Sequence, residues 1–240
     1  AVRGAGIDAI EVDVDPLVIL RSTVESALFE DQDTFTQTIL LIDMGASATS
    51  ISILKSGILR FTRIFAIGGD TLTHAIEAGY GLGFLEAEKL KKEKAVAFLD
   101  EERMDLDPES REINEMIKSH LDTLSLEIRR SLAYYTSKDR GEGVTKIVIT
   151  GGGSMLKGMA RFFEEDLGIP VMYGNSLQNI SYVGGLELEE VAKMVPYMGI
   201  AVGLTLRQVP QKILGRYCLR VGIEPKYEFG STTQASSLSS

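Results

Sequence analysis

Two uninterrupted apolar runs, Ile39-Leu40-Leu41-Ile42 and Ile147-Val148-Ile149, constrain the fold more than any other feature of the chain. A strand with one wet face alternates apolar and polar residues, whereas a run without polar members suits a strand buried on both faces. Such strands need a layer on each side, so the chain reads as α/β, a mixed sheet with flanking helices. Both runs end in small residues: Asp43-Met44-Gly45-Ala46-Ser47 after the first, and Thr150-Gly151-Gly152-Gly153-Ser154 after the second.

Around these two units the order of elements is legible. Residues 7–14 alternate apolar and acidic side chains as a half-buried strand does, and Asp15-Pro16 then supplies a cap and a first helical residue for a helix carrying Leu17, Leu20, Val24 and Leu28. Thr49 to Leu54 and Ile58 to Ile67 read as a hairpin turned by Lys55-Ser56-Gly57. Asp70 is expected to cap a helix from about Thr71 to Ala78. Residues 80–140 are helical and highly charged, with Leu82, Phe84, Leu85, Ala87, Leu90 and Ala95 on one face and Lys89, Lys91, Lys92 and Glu93 on the other. Asp107-Pro108-Glu109 opens a long helix whose apolar residues, from Ile113 to Tyr135, recur at three- and four-residue steps. A helix from Met155 to Leu167, a strand at Val171-Met172 and a helix from Tyr197 to Leu206 follow, before a polar tail.

Composition narrows the function. The 240 residues are 44% hydrophobic, enough for a core, and 34 acidic against 25 basic residues leave a net charge of −9. Nucleic-acid binding is not expected, because it rests on clustered Lys and Arg. The single cysteine, Cys218, rules out an internal disulfide and a cysteine-cluster zinc site, and His74 and His120 suit surface or interface roles. No apolar run approaches the roughly 18 residues of a membrane span, so no direct membrane insertion is expected.

The chemistry is expected at the two small-residue turns. Small side chains let backbone N–H groups approach an anion, and a row of such groups cradles phosphates. Asp43 repels phosphate but suits a Mg²⁺ ion or its water shell. The three glycines let a flat ring lie against the backbone near a helix N-terminus. Met159 stands where a Walker loop needs Lys, and Leu156 where a dinucleotide fingerprint needs a third Gly. Taken singly, each turn is as readily an ordinary hairpin or strand-to-helix corner.

Taken in order, the Asp-x-Gly hairpin and the Thr-Gly-Gly-Gly turn resemble the actin-like ATPase superfamily, whose lobes are ribonuclease H-like α/β folds with nucleotide in the cleft between them. Ala46-Ser47-Ala48-Thr49, Ile64 to Thr73 and Glu86-Ala87-Glu88-Lys89-Leu90-Lys91 are similar to the PilM family of type IV pilus assembly, with FtsA a cousin; Ala201 to Arg207 resembles the family's closing helix. The resemblance implies the end of a first lobe and a connecting helix over 1–36, a nucleotide-binding core over 37–79 and 141–208, a helical subdomain over 80–140 and an irregular tail over 209–240. It implies ATP and Mg²⁺ as cofactors. Asp43 would organise Mg²⁺ and its waters, and Gly45, Ala46, Ser47 and Thr49 would meet the phosphates. Glu88 would hold the ribose, Lys91 would lie along the nucleoside, Gly151, Gly152 and Gly153 would pack against adenosine, and Met155 would act as a lid.

The implied role is a cytoplasmic adaptor of type IV pilus or related type II secretion assembly, peripheral to the inner membrane, binding a PilN-like peptide mostly through the first lobe, with room for self-association. Most of that lobe has no counterpart here, so a one-walled cleft and weak nucleotide binding are expected. Ser50 stands where active relatives place a water-orienting group, and serine is a poor base, so slow turnover is expected rather than fast hydrolysis. The alternatives are an FtsA-like membrane anchor and an active actin-fold ATPase or sugar kinase.

Overall fold

The computed structural model describes residues 12–23, 37–97, 106–139, 143–177 and 188–206, together with 4, 6, 180–181 and 224–225. Seven helices and seven strands are described: α1 (Asp15–Thr23), β1 (Thr38–Met44), β2 (Thr49–Lys55), β3 (Ile58–Phe65), α2 (Gly69–Tyr80), α3 (Phe84–Lys94), α4 (Pro108–Asp139), β4 (Lys146–Thr150), α5 (Met159–Leu167), β5 (Val171–Tyr173), β6 (Ile180–Ser181), α6 (Leu188–Met194), α7 (Gly199–Thr205) and β7 (Glu224–Pro225). Short 3₁₀ turns lie at Gly152–Met155 and Val195–Tyr197.

Five strands form one sheet in the order β3-β2-β1-β4-β5. The pairs β3/β2 and β2/β1 are antiparallel, and β1/β4 and β4/β5 are parallel. The sheet is therefore mixed, and its two apolar runs are neighbours at its centre. Alternation sends Leu40, Ile42 and Met44 to one face, where they join Ile76, Ala87, Ile117, Leu124, Phe163 and others from α2 to α5 in the larger core. Ile39, Leu41 and Val148 go to the opposite face and pack on Ile19 and Leu20 of α1. The helices of 80–140 thus share one apolar cluster with the sheet.

Local chemistry explains the turns. Ser56 and Gly57 both have positive φ, 53° and 72°, which a two-residue hairpin of type I′ requires. Asp107 caps α4 as expected, accepting from the Ser110 backbone N–H at 3.1 Å and from its hydroxyl at 2.7 Å.

Three local expectations change. Asp70 does not cap α2: the helix begins at Gly69, and the Gly68 N–H donates to Thr71 Oγ1 instead. Asp15 lies inside α1, whose first carbonyl acceptor is Val14. The helix expected from Met155 is divided, because Gly158 takes φ +78° and separates the 3₁₀ turn from α5. The faces of α3 also differ from expectation: Leu85 is 82% exposed and Lys91 only 8%. Lys91 stands one turn after buried Ala87, on the inner side, and its charge is satisfied there. Of the strand expected over 7–14 only 12–14 are described, without regular structure; Val24, Leu28 and Cys218 lie outside the described residues. Within the stretch read as an irregular tail, Glu224–Pro225 pairs with Ile180–Ser181.

Candidate functional site

The parallel pairing of β1 with β4 puts Asp43 opposite Thr150, each at the C-terminal end of its strand. By alternation both belong to the face that carries Ile39, Leu41 and Val148, the face covered by α1. The two small-residue turns consequently leave the sheet side by side. Gly151 takes φ +84°, and a Cβ there would stand 2.4 Å from the Met44 carbonyl oxygen and 2.6 Å from Asp43 Oδ1. Both its conformation and its space exclude a side chain.

A cleft of about 380 Å³ opens over these turns. Asp43, Gly45, Ala46, Glu88, Lys91, Gly151, Gly152, Gly153 and Met155 all border it, drawn from three separate stretches of sequence. Two expected residues are not on its wall. Thr49 is fully buried and its hydroxyl donates to the Ile67 carbonyl at 2.6 Å, so it holds the hairpin to the end of β3. Ser47 is exposed at the hairpin tip. The hairpin is also gripped from the side of α2: Gly69 N–H donates to Gly45 O at 3.0 Å and Asp70 N–H to Ala46 O at 2.8 Å.

Glu88 and Lys91 form part of a connected network. Lys91 Nζ lies 2.8 Å from Gly69 O, 2.7 Å from Thr73 Oγ1 and 2.6 Å from Glu88 Oε2. An ammonium has three protons, and three partners take them. Lys91 therefore offers a ligand its alkyl stem rather than a donor. Burial pushes the Glu88 carboxyl up, but hydrogen bonds from Lys91, Thr73 and Lys92 more than offset this and hold it down at about 2. Glu88 is a fixed carboxylate whose remaining lone pairs can accept from hydroxyls.

Asp43 is opposite in character. Burial, and then the negative charge of Asp15, raise its carboxyl from 3.8 to about 6. Beside it, the Thr150 hydroxyl is buried without a hydrogen-bond partner among the described residues. A carboxylate disfavoured by its surroundings, next to an orphaned hydroxyl on a cleft wall, is a site that a hydrated cation would complete. The residues present fit a Mg²⁺–polyphosphate group on that observation.

Sequence reasoning named Met155 but missed the rest of the apolar end of the cleft, where Leu156, Pro196, Tyr197 and Ile200 meet it. Pro196 and Tyr197 come from the turn before α7, and that turn is placed by a long-range contact between α1 and α7. Ser22 Oγ donates to Gly199 O at 2.7 Å and Arg21 donates to Gly203 O at 3.0 Å. No local pattern signals such a contact.

Comparison with known proteins is consistent with this geometry. The family model described as type IV pilus assembly protein PilM matches residues 1–209. The cell division protein FtsA of Bacillus subtilis (strain 168) is 32% identical over 100 residues, 42% of this chain and 21% of that protein. Among solved structures, the PilM-PilN type IV pilus biogenesis complex superposes with a TM-score of 0.69 at 27% identity, over 85% of this chain and 55% of that one. MreB5 of Spiroplasma citri bound to ADP gives a TM-score of 0.61 at 14% identity, over 89% and 64%, a likeness of fold alone. The chain spans about a fifth of that FtsA and about half of the chain in the PilM-PilN complex.

Proposed function

This chain belongs to the PilM family of type IV pilus assembly proteins, with an actin-like fold, and from that premise we propose that its cleft binds Mg-ATP and that the protein works as a nucleotide-gated cytoplasmic scaffold. The observation that carries the reading is the juxtaposition of Asp43 and Thr150 on neighbouring parallel strands, with a small-residue turn following each. Nucleotides are held at the C-terminal ends of parallel strands in open α/β sheets for the same reason: chain turns there expose backbone N–H groups.

In this reading Gly45 and Ala46 meet the phosphates and the glycine turn borders the adenosine; Asp43 orients the waters of the cation; Glu88 accepts from the ribose hydroxyls. When bound, Mg²⁺ supplies the positive charge that a polyphosphate needs in a cleft bordered by Asp43, Asp70 and Glu88. Of the lysines at the cleft, Lys91 is saturated, Lys92 pairs with Glu88 at 3.1 Å and Lys157 donates to the Glu93 carbonyl at 3.3 Å. Affinity for ATP is therefore expected to depend steeply on Mg²⁺. Ser50, the register partner of Asp43 on β2, is a hydroxyl and a poor base, which supports slow turnover.

A scaffold gated by nucleotide needs differential affinity for two arrangements of its lobes. The likeness to the PilM-PilN complex supports a PilN-like peptide as the partner whose binding is gated. Among the described residues no helix is long and apolar enough to cross a membrane, and in this reading peripheral association with the inner membrane runs through that partner.

The test is calorimetric titration of Mg-ATP into the complete protein. Asp43→Ala is expected to weaken binding at least tenfold, and omission of Mg²⁺ to weaken it comparably. Binding indifferent to both changes would overturn the reading. The similarity to FtsA supports a second reading, a membrane anchor. Flotation with anionic liposomes in the absence of any partner would favour that reading, and no flotation is expected.

A further inference from the structure

The cleft is built in two halves of opposite chemistry. At one end stand Asp43, Asp70 and Glu88; at the other Met155, Leu156, Pro196, Tyr197 and Ile200. Tyr197 is 62% exposed there although it is the largest apolar group of that end. Its position is not accidental. A Cβ on Gly152 would stand 2.7 Å from Tyr197 Cε1, 3.3 Å from Cδ1 and 3.7 Å from Cζ, so one edge of the phenol ring abuts the glycine. The turn carrying it is fixed at both ends. Ser176 Oγ donates to Val195 O at 2.7 Å, and the Val202 N–H of α7 donates to Met198 O at 2.8 Å.

The flat ring expected against the glycines is thus the protein's own. We infer that Tyr197, exposed on the cleft wall with one ring edge against Gly152, is the platform on which the base of the bound nucleotide stacks. This rests on the nucleotide-binding reading above and adds the residue that selects the base. Stacking favours extended ring systems, because every base has a π-face and larger rings overlap more. A purine nucleotide is therefore expected to bind more tightly than a pyrimidine nucleotide. A side chain at Gly152 would displace the ring from the turn.

The test compares Mg-ATP and Mg-CTP binding by wild type, Tyr197→Phe and Tyr197→Leu. Leucine keeps the apolar bulk and so preserves the fold while removing the π-face. Wild type is expected to prefer ATP, Tyr197→Phe to match it within twofold, and Tyr197→Leu to lose about tenfold for ATP with a smaller loss for CTP. Gly152→Ala is expected to lower ATP affinity in wild type and to add little in the Tyr197→Leu background. An ATP affinity unchanged in Tyr197→Leu overturns the inference and leaves nucleotide binding standing. Equal losses for ATP and CTP also overturn it, since they report a wall and not a platform. A wild-type protein that binds neither nucleotide overturns both proposals.

Discussion

Asp43 and Glu88 sit on the same cleft yet are pushed in opposite directions, and each has a measurable consequence. The folded protein holds the Asp43 carboxyl near 6, above its ordinary 3.8. The stability gained from keeping the proton is fully present below about pH 4 and is lost as pH rises through about 6, at a cost on the order of 3 kcal/mol. Asp43→Asn should therefore melt higher than wild type at pH 7.5 in the absence of ligand, and the gap should close as the pH approaches 4. The same variant should lose Mg-dependent ATP binding, a residue kept at the expense of stability. Glu88 behaves in reverse: its carboxylate is stabilising above about 4.5 and that contribution is lost only as pH falls toward 2. The sequence disclosed Asp43 and the glycines because small residues and an acid at strand ends are local signals, whereas Glu88 came only through the resemblance of its motif to a family. Tyr197 and the saturation of Lys91 were invisible in it. Both depend on which distant backbone each side chain meets, Gly152 in one case and Gly69 in the other.

Among the elements, strands β1, β2 and β4 and helix α4 were readable because their patterns are long or purely apolar, whereas the junctions were not. Gly68, Gly151 and Gly158 decide where helices and turns begin, and each does so by lying against another segment: a Cβ on them would meet Ala46 O at 2.4 Å, Met44 O at 2.4 Å and Ala97 O at 2.3 Å. The crossing of α1 and α7 is the tightest such junction. A Cβ on Gly203 would stand 1.9 Å from the Val18 carbonyl oxygen, a backbone atom that cannot step aside without parting the helices. Gly203→Ala should cost about 2 kcal/mol or more and lower the melting temperature by roughly 5 °C. Gly79 of α2 offers the contrast. A Cβ there meets the sulfur of Met116, the movable part of a flexible side chain, and alanine also favours the helix by about 0.5–1 kcal/mol. Gly79→Ala should stay within about 1 kcal/mol of wild type in the same melting experiment. A large loss at Gly79, or none at Gly203, would show that backbone proximity is not what fixes these junctions.

At the scale of the molecule, the decisive contact is the parallel pairing of β1 with β4 across the whole span of α2 to α4. Periodicity identifies strands but not their partners, so the order of the sheet was not legible in pattern alone. The register of that pair couples the cleft to the α1–α7 crossing. Ile19 of α1 borders the cleft, as do Gly199 and Ile200 of α7, while Arg21 and Ser22 tie the two helices together. A nucleotide seated against the sheet therefore touches both members of the crossing. Hydrogen exchange on the complete protein should show whether it biases them. Mg-ATP is expected to slow exchange at residues 45–48 and 151–155, where it is bound, and also along α1 and α7, if nucleotide selects one arrangement of the crossed helices. Protection confined to the two turns would mean that nucleotide is held without being transmitted. The gating half of the proposal would then fail while the binding half survived, because a ligand with no preference between two arrangements shifts neither.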